Sequence, residues 1–213
     1  MKTKIYTVVR AVLAPIVKVV FNVRHHGAEN EPAPEDGPYV LICNHISNPD
    51  PVMICSGITK QQPNFMAKKE LFKVPLLGRL VRALGAYPVN RGGADVSAIK
   101  NTISMLKSGK SVGIFPQGHR EQGKTPMEAN LKTGAAMIAV KAEATIFPCC
   151  IKTKGNKFKL FTRKDVYFGK PIKFEELGYN HEAPGEYQRI TNLMFDKVCE
   201  LYRAAEEEEK NGK

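Results

Sequence analysis

Apolar residues along this 213-residue chain fall into short continuous runs separated by stretches with helical spacing. The continuous runs at 39–43, 64–67, 85–89, 111–115 and 145–151 predict strands, and two more polar runs, 157–162 and 166–168, predict further ones. Val96, Ile99, Ile103 and Leu106 recur at intervals of three, four and three, predicting a helix with Asp95 as its N-cap and Gly109 as its stop. Residues 131–142 are alanine-rich and apolar nearly all round, as a buried crossover helix is. Ile190, Leu193, Met194, Val198 and Leu201 mark one face of a long helix, after which 206–209 reads as a solvated, fraying acidic tail. Strands alternating with helices predict an α/β fold with a mixed, largely parallel central sheet flanked by helices. The length suits one such domain, placed at 29–213 behind the polar, proline-rich link 29–37.

The segment 1–28 has a different pattern. It carries Lys2, Lys4, Arg10, Lys18 and Arg24 and no acid, while residues 5–23 are otherwise strongly apolar. A bilayer core of about 30 Å needs roughly 20 apolar residues, and Arg10 and Lys18 would each cost about 2.5–3.5 kcal/mol near its centre. A spanning helix is disfavoured on that ground. At 100° per residue the cations fall on one side, with Val8, Val12, Ile16, Val19 and Val23 on the other, so the segment reads as an amphipathic, membrane-associating helix. Arg10, Lys18, Val12 and Ile16 are its expected membrane contacts, and Pro15 is expected to kink or divide it. The alternative is an ordinary amphipathic helix packed on the domain.

Charge and cysteine content narrow the partners. The net charge of +11 calls for an anionic partner. Tryptophan is absent and no basic segment carries interleaved aromatics, which argues against nucleic acid and leaves an anionic membrane surface or a phosphorylated or acidic-protein substrate. The five cysteines are odd in number and lie mostly in apolar runs, so they read as packing residues in a reducing compartment. Cys149 and Cys150 lack the spacing of a zinc site, and His25-His26 reads as a solvated loop.

Ligands in sheets of this kind gather at the carboxyl ends of strands, and three unusual segments follow strand-like runs. In the first, His45 follows the run 39–43, and Asp50 stands five residues later in the first turn of a helix expected to start at Asn48 and Pro49. A carboxylate there can hold one ring nitrogen and leave the other to take a proton. The same residues also suit a surface loop histidine and a capping acid. The second segment ends in Arg91 before Gly92-Gly93, and the third carries Gly118 and Arg120. Each sets a forked cation beside backbone that a phosphate can approach.

Together these segments resemble the glycerolipid and lysophospholipid acyltransferase family. Asn44-His45-x-Ser47-x-x-Asp50 is similar to its first signature, Lys68-Lys69-Glu70-Leu71 with 85–91 to its second, and Phe115-Pro116-Gln117-Gly118-His119-Arg120 to its third. Leu131-Lys132-Thr133-Gly134-Ala135-Ala136 and Ile146-Phe147-Pro148 are similar to its fourth. The resemblance implies acyl transfer from acyl-CoA or acyl-carrier protein to the free hydroxyl of a lysophospholipid such as lysophosphatidic acid, on the cytoplasmic face of a membrane, with no metal or bound cofactor. It implies His45 and Asp50 as the catalytic pair and Lys68, Arg91, Gln117, Gly118 and Arg120 as substrate- and phosphate-binding residues. The third block departs from the family pattern, since its usual glutamate is Gln117 and its usual threonine is His119.

Overall fold

The computed structural model describes residues 3–89 and 96–211. Among these, seven strands form one sheet: β1 (Val23–His26), β2 (Tyr39–Cys43), β3 (Asn64–Lys68), β4 (Tyr87–Val89), β5 (Val112–Ile114), β6 (Thr145–Thr153) and β7 (Lys164–Phe168). Their order is β1-β7-β6-β2-β5-β3-β4. Pairing is parallel throughout except between β6 and β7, so β1 and β7 run against the other five. The helices are α1 (Lys4–Val20), α2 (Asp50–Gly57), α3 (Leu77–Ala83), α4 (Val96–Lys107), α5 (Gly134–Ala142) and α6 (Glu186–Asn211).

β2 runs through the middle and is buried on both faces, which explains its unbroken apolar run. Val40 and Ile42 face a core shared with α5 and α6, while Tyr39, Leu41 and Cys43 face one shared with α1 and α2. Cys149 and Cys150 divide between the same two cores, as strand neighbours must. All five cysteines are free and buried. Gly109 ends the turn after α4 in the left-handed region (φ +80°), where glycine carries no Cβ penalty. Its partner signal, Asp95, lies outside the described residues.

Several expectations need correction. Residues 157–162 form no strand, because the buried Lys164 amine draws the loop around itself, donating to the carbonyls of Lys159 and Thr162. Of the apolar residues in this run, Phe158 packs edge-on against Phe21 while Leu160 and Phe161 stand exposed. The stretch 206–209 is no frayed tail. α6 continues to Asn211, and Glu209 answers the buried ammonium of Lys152 at 2.5 Å. His25-His26 belongs to β1 rather than to a loop, with His26 2.8 Å from the Asp165 carboxylate and His25 bonded to the Met53 carbonyl. The N-terminal helix stops at Val20, so 23–26 is part of the sheet, and Pro15 lies inside an undivided α1.

α1 sits on α2 through Tyr6, Ala14 and Val17, with its other apolar stripe facing outward. Ile5, Val8, Val12, Ile16 and Val19 are between 52 and 76% exposed. Arg10, expected at the membrane, faces the domain instead. Its guanidinium donates to the carbonyls of Cys55 and Ser56, both 3.0 Å away, in the last turn of α2. Those carbonyls lack intrahelical partners, and a forked donor satisfies two at once. No described helix is long and apolar enough to cross a membrane.

Candidate active site

The site begins where β2 ends. Asn44 continues the ladder with its side chain, donating to the Ile151 carbonyl at 2.9 Å and accepting from the Ile151 amide at 2.8 Å. The chain then turns away from β6 with His45 fixed at the carboxyl edge of the sheet. Asp50, fully buried at the start of α2, accepts on Oδ2 from His45 Nδ1 (2.8 Å) and from the amides of Ile46 (2.7 Å) and Ser47 (2.8 Å). Its Oδ1 accepts from the Ser47 hydroxyl. Three amide and hydroxyl donors around one carboxylate leave it an acceptor only, so Nδ1 of His45 carries the proton. Nε2 is then the unprotonated nitrogen, and it has no hydrogen-bond partner among the described residues. The His45 side chain is 8% exposed.

An aromatic column sets the plane of the ring. His45 stacks on Phe115 with centroids 4.0 Å apart and planes 12° from parallel, and Phe115 stacks on Phe65 at 5.6 Å. The column needs Gly113 in β5. A Cβ there would lie 2.1 Å from the Phe65 ring, so the strand must carry glycine where the ring crosses it.

The loop after β5 meets the loop after β2 face to face. Gln117, 2% exposed, accepts on Oε1 from the His45 amide at 2.6 Å and donates from Nε2 to Glu121 at 2.7 Å. Both ends of its amide are occupied by protein, which corrects its expected role as a substrate-binding residue. Gly118 is at φ +73°, and the side chain of Lys132 lies over it, 3.0–3.1 Å from where a Cβ would be. The Lys132 amide donates to Pro116, which pins this approach. Arg120 donates to Asn48 Oδ1 at 2.8 Å and is exposed. Asn48 is therefore no N-cap, since its side chain faces the other loop and α2 starts at Asp50. Lys68 stands exposed at the end of β3, on the same edge. Arg91 and its glycines lie outside the described residues.

Glu121 and Lys132 escaped the sequence reading as site residues. Glu121 follows the third block by one position, and Lys132 lies inside the fourth, so proximity to a motif was the available signal. Burial pushes the thiols of Cys43 and Cys149 up, and neither presents a thiolate beside His45. The arrangement is that of an α/β protein with a hydrogen-bonded His–Asp pair at the carboxyl edge of its sheet and cations close by.

The acyltransferase family model matches residues 22–152, from the end of α1 through β6. A 1-acyl-sn-glycerol-3-phosphate acyltransferase of Bacillus subtilis (strain 168) is 32% identical over 195 residues, covering 88% of this chain and 94% of that protein. A protein of the same name from Streptococcus pneumoniae (strain ATCC BAA-255 / R6) is 32% identical over 176 residues, covering 81% of this chain and 64% of its own length. Among solved structures, the 1-acyl-sn-glycerophosphate (LPA) acyltransferase PlsC from Thermotoga maritima has the same fold, with a TM-score of 0.68 over 93% of this chain and 78% of that one at 24% identity. The chain belongs to the acyltransferase family and is an O-acyltransferase.

Proposed function

We propose that this enzyme moves a fatty acyl group from acyl-CoA or acyl-carrier protein to the free hydroxyl of lysophosphatidic acid, giving phosphatidic acid for phospholipid synthesis. The observation that carries the reading is the His45 ring: Nδ1 is held by a buried carboxylate, and Nε2 is unpartnered among the described residues. Nε2 takes the proton of the acceptor hydroxyl as its oxygen attacks the thioester carbonyl. The tetrahedral intermediate collapses with cleavage of the C–S bond, and the proton passes from His45 to the departing thiolate. Base assistance of this kind contributes about 10²–10⁴ in rate, and positioning contributes more. Arg120, Lys132 and Lys68, beside Gly118, suit the acceptor phosphate, because several cations at one sheet edge recognise a dianion better than one, and the family resemblance adds Arg91 to them. The names of the two bacterial relatives support the acceptor.

The bilayer supplies both acceptor and product, and α1 suits its surface. We read its outward apolar stripe, flanked by Lys4 and Lys18 and continued by Leu160 and Phe161 near its carboxyl end, as the docking face for an anionic leaflet. This assigns Val12, Ile16 and Lys18 to the membrane and keeps Arg10 for the domain. Acyl transfer followed by mass spectrometry, with a panel of lysophospholipids and both thioester donors, tests the reaction. Lysophosphatidic acid is expected to be the preferred acceptor, and H45A to lose about 10³-fold or more. Near-normal turnover by H45A overturns the base assignment, and preference for an uncharged or zwitterionic acceptor overturns the substrate. V12D/I16D is expected to release the protein from anionic vesicles, and undiminished co-sedimentation rejects the docking face.

A further inference from the structure

The loop after β5 grips His45 by its backbone on both sides. Gln117 Oε1 takes the His45 amide proton, and the Glu121 amide donates to the His45 carbonyl at 2.8 Å. Between these bonds lies the buried pair itself, with Gln117 Nε2 donating to Glu121 Oε2. The other carboxylate oxygen, Oε1, is 3.2 Å from Nε2 of His119, whose side chain is 60% exposed. Glu121 itself is only 7% exposed.

This geometry allows one orientation of the Gln117 amide. Flipped, it would set its NH₂ against the His45 N–H and its oxygen against the carboxylate, leaving two donors and two acceptors facing one another in a buried site. The acceptor oxygen of Glu121, together with the His45 N–H, therefore decides which way Gln117 faces, and Gln117 in turn holds the His45 peptide. A glutamate at 117, as the family resemblance expects, would place two carboxylates at hydrogen-bond distance, which cannot both be ionised there. We propose that Glu121 is a positioning residue for His45, acting through Gln117, and that the two form a coupled amide–carboxylate unit in which each residue dictates the other. The unit requires one amide and one carboxylate but not their present order, because with the order reversed a carboxylate at 117 still accepts from His45 and an amide at 121 still donates to it.

The proposal rests on His45 being the base, and the test separates the two. Q117E, E121Q and Q117E/E121Q are compared with wild type and H45A for kcat, KM and thermal unfolding, using lysophosphatidic acid and an acyl thioester. Q117E is expected to lower kcat about tenfold or more with little change in KM. E121Q, which keeps an acceptor for the amide, costs less. The double variant is expected to recover most of the kcat lost in Q117E, which a purely space-filling role for these residues would not produce. If Q117E fails to fold, the double variant must restore both folded protein and turnover. Wild-type kcat in Q117E, or a double variant no better than Q117E, overturns the coupling while an inactive H45A leaves the base intact; an active H45A overturns the base itself.

Discussion

Two loops hold His45, and they do so differently. The loop after β2 holds the ring, through a carboxylate five residues away that also takes the amides of Ile46 and Ser47. The loop after β5 holds the backbone and the face of the ring, through Gln117, Glu121 and Phe115, of which Gln117 is 72 residues distant in the chain. The first is a self-contained turn whose bonds all lie within residues 45–50. The second exists only once β2 and β5 are neighbours in the sheet. The proposed base and its carboxylate sit on the local element, and the proposed positioning falls to the distant one.

Breaking the ring-holding side should have the larger effect. D50N keeps the shape of Asp50 but turns an acceptor-only group into one with two donors, facing amides and a hydroxyl that also donate. The His45 tautomer is no longer specified. Turnover is expected to fall about 10²-fold or more, with acceptor KM far less affected. A D50N enzyme within a few-fold of wild type would show that the distant loop alone suffices to hold the ring.

G113A tests the distant side without touching a polar group. The added methyl meets the Phe65 ring, which supports Phe115 and through it His45. Overpacking at such a contact costs about 1–3 kcal/mol, read as a lower unfolding midpoint, and the fall in kcat is expected to be smaller than that of D50N. Replacing Phe65 by leucine in the G113A background should return part of the stability. Unaltered stability in G113A would mean that the column is incidental to the fold.

What was legible in the sequence follows the same division. The spacing from His45 to Asp50 was readable because every partner of that carboxylate lies within five residues. The run 39–43 read correctly as a buried strand because β2 has a core on each face. Gln117 was read as a ligand-facing residue because one of its two partners, the His45 amide, arrives through strand order, which no local pattern encodes. Arg10 was misread for a related reason. A helical wheel separates cations from apolar side chains, but the free carbonyls at the end of α2 decided which side faces the domain. Residues 157–162 imitated a strand because Phe158, Leu160 and Phe161 are apolar in sequence, yet Leu160 and Phe161 are exposed in a loop that wraps around a buried lysine.

The smallest expected effect concerns binding rather than chemistry. Lys132 comes to the second loop from the start of α5 and lies across Gly118, where φ +73° and the absence of a Cβ together leave room for it. Its neighbour on that loop, Arg120, is already joined to Asn48 of the first loop. Among the described residues the Lys132 ammonium holds no such link between the loops, and a point charge on a flexible stem suits a phosphate that arrives and leaves with each turnover. K132A is expected to raise the KM for lysophosphatidic acid a few-fold, leave kcat nearly unchanged and flatten the dependence of KM on ionic strength, since one screened attraction has been removed. A fall in kcat at constant KM would instead assign Lys132 to holding the His45 loops, and the division between the two would then extend to a third element.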